Sequence, residues 1–369
     1  MELDAIAARR VVRYLKRGVF PPDAIGWLTA GRAAETNHII DALQEVQQGS
    51  NRHCFVEANY GVGKSHFLKL VESLALQQQF AVSWVTINGA DHAFNHPTRY
   101  LHSILGNVRV LDFEVRGLAA LCRLWLKNGQ REALLNWASK HASWQTRNAL
   151  MRLAEYEEEE QYERAEHTNF ALEGRDLQHK NGAVHFPEFF KRLENTISLF
   201  LAVGYHGVVF LFDEIECIAT HLANHRSRLL SYQLANTLTD ARRFGSAMFV
   251  FATTEDFGEK VSSDRNVYSY LNKEYQDGCR FAEKWHAGEM NVLSIGHISE
   301  KDNRRCLARI REVHGRAYGW NPEGQVSDEF IDSYMETATR THHAQRTIIK
   351  WFVDILEISQ QNPLCVPQM

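Results

Sequence analysis

The chain is 369 residues long, enough for two or three domains or for one domain with large insertions. With 44% hydrophobic and 23% charged residues, global disorder is excluded. A net charge of −4 excludes a polycation, so any contact with nucleic acid must come from a local basic patch.

In chain order, residues 3–17 read as a helix, broken by Pro21-Pro22. "GRAAETNHIIDALQEVQQGS" (31–50) reads as a second helix, closed by Gly49. "HCFVEA" (53–58) has the length and composition of a buried strand, and "SHFLKLVESLALQQQ" (65–79) returns to a helical period. Further strands are read at "AVSWVTI" (81–87), "GVVFLFDEIE" (207–216), "SAMFVFATTED" (246–256) and "MNVLSIGHI" (290–298), with helical patterns between them. Residues 107–185 are mostly helical in pattern and carry the acidic run "EYEEEEQYERAEH", read as a solvated face. From Ser299 on the pattern is a helical bundle, with Ser299 and Ser327 as N-caps. Strands alternating with helices predict an α/β fold with a mostly parallel sheet. Continuously apolar strands predict a sheet covered on both faces.

The stretch Ala58-Asn59-Tyr60-Gly61-Val62-Gly63-Lys64-Ser65 fits G-x-x-x-x-G-K-[ST] with alanine at the first position. Gly61 and Gly63 let the backbone curl so that successive N–H groups face phosphate oxygens. The helix that follows adds the positive end of its dipole. Lys64 is expected to reach the β- and γ-phosphates of ATP, and Ser65 to hold Mg²⁺. The expected cofactor-binding set runs from Ala58 through His66.

"VVFLFDEIE" supplies the second half of such a site, an acidic residue ending a buried strand beside the P-loop. Asp213 is expected to hold Mg²⁺ with Ser65, and Glu214 to deprotonate the attacking water. At the end of "MFVFATTED", the hydroxyl of Thr253 or Thr254 either reaches between water and γ-phosphate or caps the next turn. An arginine supplied across a subunit interface would neutralise transition-state charge. Arg280 is the first choice, with Arg242 and Arg243 as alternatives.

The order P-loop, "FLFDE", threonine-bearing strand, fifth strand and helical lid resembles an AAA+ ATPase of the origin-recognition type. "AGRAAE" (30–35) is similar to the GR-x-x-E box that precedes the nucleotide site there, which implies roles for Gly31 and Arg32. Arg346 in "HHAQRTIIKWF" matches the arginine called sensor 2. More narrowly, "EANYGVGKSHFLKLV" and "NHPTRYLHSILGNVR" resemble the BrxC/BrxD ATP-binding proteins of bacterial BREX phage-exclusion systems. The resemblance implies a three-layer P-loop core over 31–298, a helical insertion at 107–185 and a lid at 299–360, with 1–30 as an N-terminal helical segment and 361–369 as a tail. It further implies ATP hydrolysis with Mg²⁺, a homo-oligomer or a complex with other defence proteins, and non-specific contact with DNA. Competing expectations are a nucleotide-gated scaffold with little turnover and a transposition-type regulator that assembles on DNA.

Three signals are set aside. "HLANH" (221–225) lacks the glutamate of a zinc peptidase helix, and His342-His343 reads as a capping turn. Trp125, Trp137 and Trp144 are read as core before they are read as base-stacking platforms. Six cysteines without a CxxC suggest no zinc or disulfide framework. No run approaches the roughly 20 apolar residues of a membrane helix, and the N-terminus lacks an apolar signal core. The expectation is a soluble cytoplasmic protein with reduced thiols and no membrane partner.

Overall fold

The computed structural model describes residues 3–21, 24–59, 61–87, 96–158, 172–174, 186–220, 224–268, 276–340 and 345–362. The helices are α1 (Ala5–Lys16), α2 (Ile25–Leu28), α3 (Ala33–Gln47), α4 (Lys64–Gln77), α5 (Pro97–Asn107), α6 (Leu118–Lys127), α7 (Arg131–His141) and α8 (Trp144–Glu158). They continue with α9 (Phe186–Ala202), α10 (Cys217–Thr220), α11 (His225–Leu238), α12 (Phe257–Tyr268), α13 (Gln276–Ala287), α14 (Glu300–Tyr318), α15 (Asp328–Arg340) and α16 (Gln345–Gln361). The strands are β1 (Asn51–Glu57), β2 (Ala81–Thr86), β3 (Val108–Arg109), β4 (Val208–Asp213), β5 (Ala247–Thr253) and β6 (Val292–Ser294).

The chain divides into two compact units. One comprises residues 40–57 and 75–293, and the other comprises 1–39, 58–74 and 294–369. The first is built on a sheet of order β3-β2-β4-β5-β1-β6. Strands β2, β4, β5 and β1 pair in parallel, and β3 adds antiparallel to β2. Every residue of β4 and β5 is buried, as their unbroken apolar sequences require of a sheet covered on both faces. A ladder of stacked rings crosses it. Phe55 on β1 lies 4.8 Å from Phe251 on β5, which lies 5.2 Å from Phe212 on β4. The expected strand 290–298 contracts to the three residues of β6, whose exposed and half-buried side chains give an edge strand little to bury. Strand β3, just two residues long, falls in a region read as helical and is too short to show a period.

Among the described residues of the expected insertion, α6, α7 and α8 share one hydrophobic core with the sheet. Trp125 and Trp137 are buried there, and the Trp137 indole N–H donates to Ser198 Oγ at 2.9 Å. Trp144 is 72% exposed.

The described residues of the second unit are mostly helical. Its core joins Ala8, Val11, Val12 and Leu15 of α1 to Leu307, Ile310 and Val313 of α14 and to Ile349, Phe352 and Val353 of α16. Both expected N-caps are present: Ser299 Oγ accepts from Asp302 N at 3.1 Å, and Ser327 Oγ from Phe330 N at 3.3 Å. His221 and the pair His342-His343 lie outside the described residues, as does the acidic run beyond residue 158.

Candidate nucleotide-binding site

Strand β1 ends at Glu57, and the chain passes directly into the 58–63 loop and then α4. Ala58 and Val62 are buried, while Asn59, Gly61 and Ser65 are exposed; Tyr60 lies outside the described residues. Gly61 and Gly63 have φ of +83° and +106°, angles at which a side chain would be strained. Lys64 is the first residue of α4 and is only 9% exposed. A buried cation at the positive end of a helix is electrostatically costly unless an anion shares the site.

Arg32 does not extend freely toward solvent. Its guanidinium donates to Glu35 Oε1 at 3.0 Å, to Gly296 O at 2.5 Å and, at the 3.5 Å limit, to Val62 O within the glycine loop. The side chain therefore braces the loop from behind. Gly31, with φ +69°, leaves room for Asp302: a methyl group there would lie 2.7 Å from Asp302 Oδ2.

His66, in the first turn of α4, is fixed by a contact its motif did not reveal. The Thr29 hydroxyl donates to Ile25 O at 2.7 Å and accepts from His66 Nε2–H at 2.8 Å. That arrangement leaves Nδ1 as the bare acceptor, buried without a partner among the described residues. The Phe20 ring lies 4.2 Å away. Burial, with the charges of Arg32 and Lys69, lowers the imidazole pKa to about 4, so the ring is neutral at pH 7.

In the sheet unit, Asp213 closes β4 and is 7% exposed. Its backbone pairs with Thr86 of β2, and its Oδ1 accepts from Glu214 N at 3.1 Å. Glu214 is exposed and has φ +62°, a left-handed conformation rare for a residue with a side chain. In the sheet order, β5 lies between β4 and β1. The carboxyl end of the sheet therefore presents Asp213, Thr253 and Glu57 from three successive strands, with Thr253 in register with Glu57. Ligands of open α/β sheets bind outside such ends.

Thr254 Oγ1 donates to Asp256 Oδ1 at 2.5 Å, the arrangement of the turn-capping alternative. Thr253 is fully buried. Among the candidate arginines, Arg280 is exposed on α13. Arg242 pairs with Asp240, and Arg243 pairs with Glu194 and lies 4.2 Å over the Phe190 ring. Arg346 is exposed on α16 and donates to Arg17 O at 3.1 Å. The residues that sequence reasoning missed are Thr29 and Phe20 around His66. They belong to an irregular stretch with no periodic signal.

A mostly parallel α/β sheet, a glycine loop opening a helix and a buried strand ending in Asp-Glu are the fold and site elements of a P-loop nucleotide-binding protein. The sequence matches the model of one such family, described as BREX system ATP-binding protein BrxC/D, over residues 4–172 and 165–369, and the chain belongs to that family. A search of curated proteins finds no match. Among the described residues, no helix is long and apolar enough to cross a membrane.

Proposed function

We propose that this chain binds ATP with Mg²⁺ and hydrolyses it, as a component of a DNA-linked phage-defence machinery that works with other BREX proteins. Family membership supports ATP binding and the defence role. The reading of hydrolysis rests on one observation above all: a glutamate held exposed in a left-handed conformation immediately after a fully buried strand and its terminal aspartate. Strain of this kind persists where the surrounding structure enforces it, and it concentrates at sites of chemistry.

The residue types fit the metal. Magnesium takes one or two carboxylates, substrate phosphates and water, and the Asp213 carboxylate and Ser65 hydroxyl are such hard oxygen donors. Bound there, it would neutralise charge on the β- and γ-phosphate oxygens. Lys64 and the loop N–H groups would hold those phosphates. Glu214 would take a proton from water as the water oxygen bonds to the γ-phosphorus and the bond to the ADP oxygen breaks. Arg32 is a positioning residue in this scheme, holding the loop through Val62 O. Arg280, exposed on α13, is the arginine offered to a neighbouring subunit.

Two variants test the reading. Lys64→Ala is expected to lose ATP affinity in calorimetry while remaining folded. Glu214→Gln is expected to bind MgATP normally but to release phosphate at least about 100-fold more slowly, the low end for removal of a positioned general base. Undiminished turnover in Glu214→Gln would remove the glutamate from the chemistry. A wild-type protein that binds ATP without turnover would be a nucleotide-gated scaffold.

A further inference from the structure

Residues 4–17 contain five cations, Arg9, Arg10, Arg13, Lys16 and Arg17, against a single acidic residue, Asp4. Helix α1 turns Ala8, Val11, Val12 and Leu15 into its unit's core and leaves Arg13 and Arg17 exposed, one turn apart. Helix α16 adds a second such pair at the same place. Arg346 donates to Arg17 O at 3.1 Å, and Lys350 stands one turn further on. A methyl group at Gly18 would lie 2.5 Å from Arg346 Cγ and 3.1 Å from Lys350 Cε. Among the described residues, no carboxylate forms an ion pair with Arg13, Arg17, Arg346 or Lys350, whereas Lys16 pairs with Glu357.

Helix electrostatics explains half of this arrangement. Cations in the last turn of α1 complement the negative end of its dipole. Arg346 stands in the first turn of α16, where a cation is disfavoured and no acidic residue offsets it, and Lys350 stands one turn further on, four residues before Asp354. Like charges one turn apart are also mutually destabilising. A cluster maintained against these terms points to an external anion.

We infer that this α1–α16 surface binds the phosphate backbone of duplex DNA, an inference that rests on the DNA-linked reading above. The four heads are exposed or half-exposed and spread over two helices, which suits a row of phosphates rather than a single buried one. An anionic membrane is disfavoured because a helix lying on lipid inserts its apolar face, and that of α1 is already buried in protein. Single strands are disfavoured because their binding relies on aromatic platforms. Trp351, an exposed aromatic of α16, is turned about 100° from Lys350 around the helix.

The test is fluorescence anisotropy of the full chain with a labelled duplex across a salt series. With about four phosphate contacts, wild-type affinity should fall roughly 100-fold between about 50 and about 200 mM salt. The triple variant Arg13→Ala, Arg17→Ala, Lys350→Ala should bind more weakly and fall only about threefold over the same range. Replacing Arg13 and Arg17 by lysine should preserve both affinity and slope, which separates charge from packing. ATP affinity, measured by calorimetry on the same preparations, should be unchanged in every variant. Duplex binding by wild type with the same affinity and slope in the triple variant would overturn this surface and leave the DNA-linked reading standing. No duplex binding by wild type would overturn both. Preferential binding to phosphatidylserine vesicles or to a single strand of the same sequence would overturn the choice of partner.

Discussion

Glu214 and Arg32 show how single side chains divide between chemistry and support. At φ +62°, Glu214 carries a left-handed strain of roughly 1–2 kcal/mol. Glycine would relieve that strain and give back about 0.5–1 kcal/mol through its more flexible unfolded chain. Glu214→Gly is therefore expected to raise stability by about 0.5–1 kcal/mol in urea denaturation while turnover collapses. Lower stability in that variant would mean that the glutamate side chain holds the turn together. Arg32 makes the opposite case. Its guanidinium, 5% exposed, is bound to Glu35 and to two backbone carbonyls. Arg32→Ala leaves those acceptors without their donor and is expected to cost about 3 kcal/mol of stability, with ATP affinity falling because the loop loses its brace. If stability held and only ATP affinity fell, the arginine would be a direct ligand contact. The motif GR-x-x-E places both residues in the sequence, yet it does not say whether the guanidinium faces a nucleotide or the protein. That depends on Gly296, which is distant in the chain.

At the scale of elements, the stacked rings Phe55, Phe251 and Phe212 tie the strand that leads into the glycine loop to the strand that ends in Asp213. Each ring stands within two residues of the carboxyl end of its strand, so the ladder fixes the spacing of that end. Phe251→Ala is expected to cost about 3–5 kcal/mol by leaving a cavity in a fully buried strand. Phe251→Leu should cost no more than about 1.5 kcal/mol, because most of the volume remains filled. Guanidinium chloride unfolding of the two variants compares them, and equal losses would show that ring stacking rather than volume carries the term. The apolar strands β1, β2, β4 and β5 were legible because buried parallel strands leave an unbroken hydrophobic run. Strand β3 and the contraction of 290–298 to β6 were not, since edge pairing of two or three residues leaves no pattern of its own.

For the molecule as a whole, acid is the informative perturbation. Burial lowers His53, His66 and His314 each to about 4, with repulsion from Lys284, Arg32 and Lys16 respectively. In the unfolded chain these groups titrate near 6.5. Between pH 6.5 and 4 the unfolded state binds protons that the folded state refuses, so their contribution is complete above 6.5 and is lost as pH falls toward 4. Each histidine contributes a slope of up to about 1.4 kcal/mol per pH unit in that window. Urea denaturation followed by tryptophan fluorescence should give a clearly lower midpoint at pH 5 than at pH 7, and equal midpoints would mean that these rings are charged in the fold. His53 belongs to the sheet unit and the other two to the helical one, so both units should weaken.

From sequence alone, this protein's glycine loop, its Asp-Glu strand end, its alternation of strands and helices and its family resemblance were all readable. Each is encoded within a dozen or so residues, where backbone freedom, helix capping and hydrophobic period act locally. Tertiary structure alone decided that β5 lies between β1 and β4, that α1 shares a core with α14 and α16 from the far end of the chain, and that two of the three tryptophans of 107–185 are buried. It also decided that Arg32 braces the loop, that Thr29 orients His66, and that the cations of α1 meet those of α16. The physical reason is common to all of these. A periodic pattern tells a segment which face to bury but not against what, and the choice of partner is a competition among contacts between residues hundreds of positions apart.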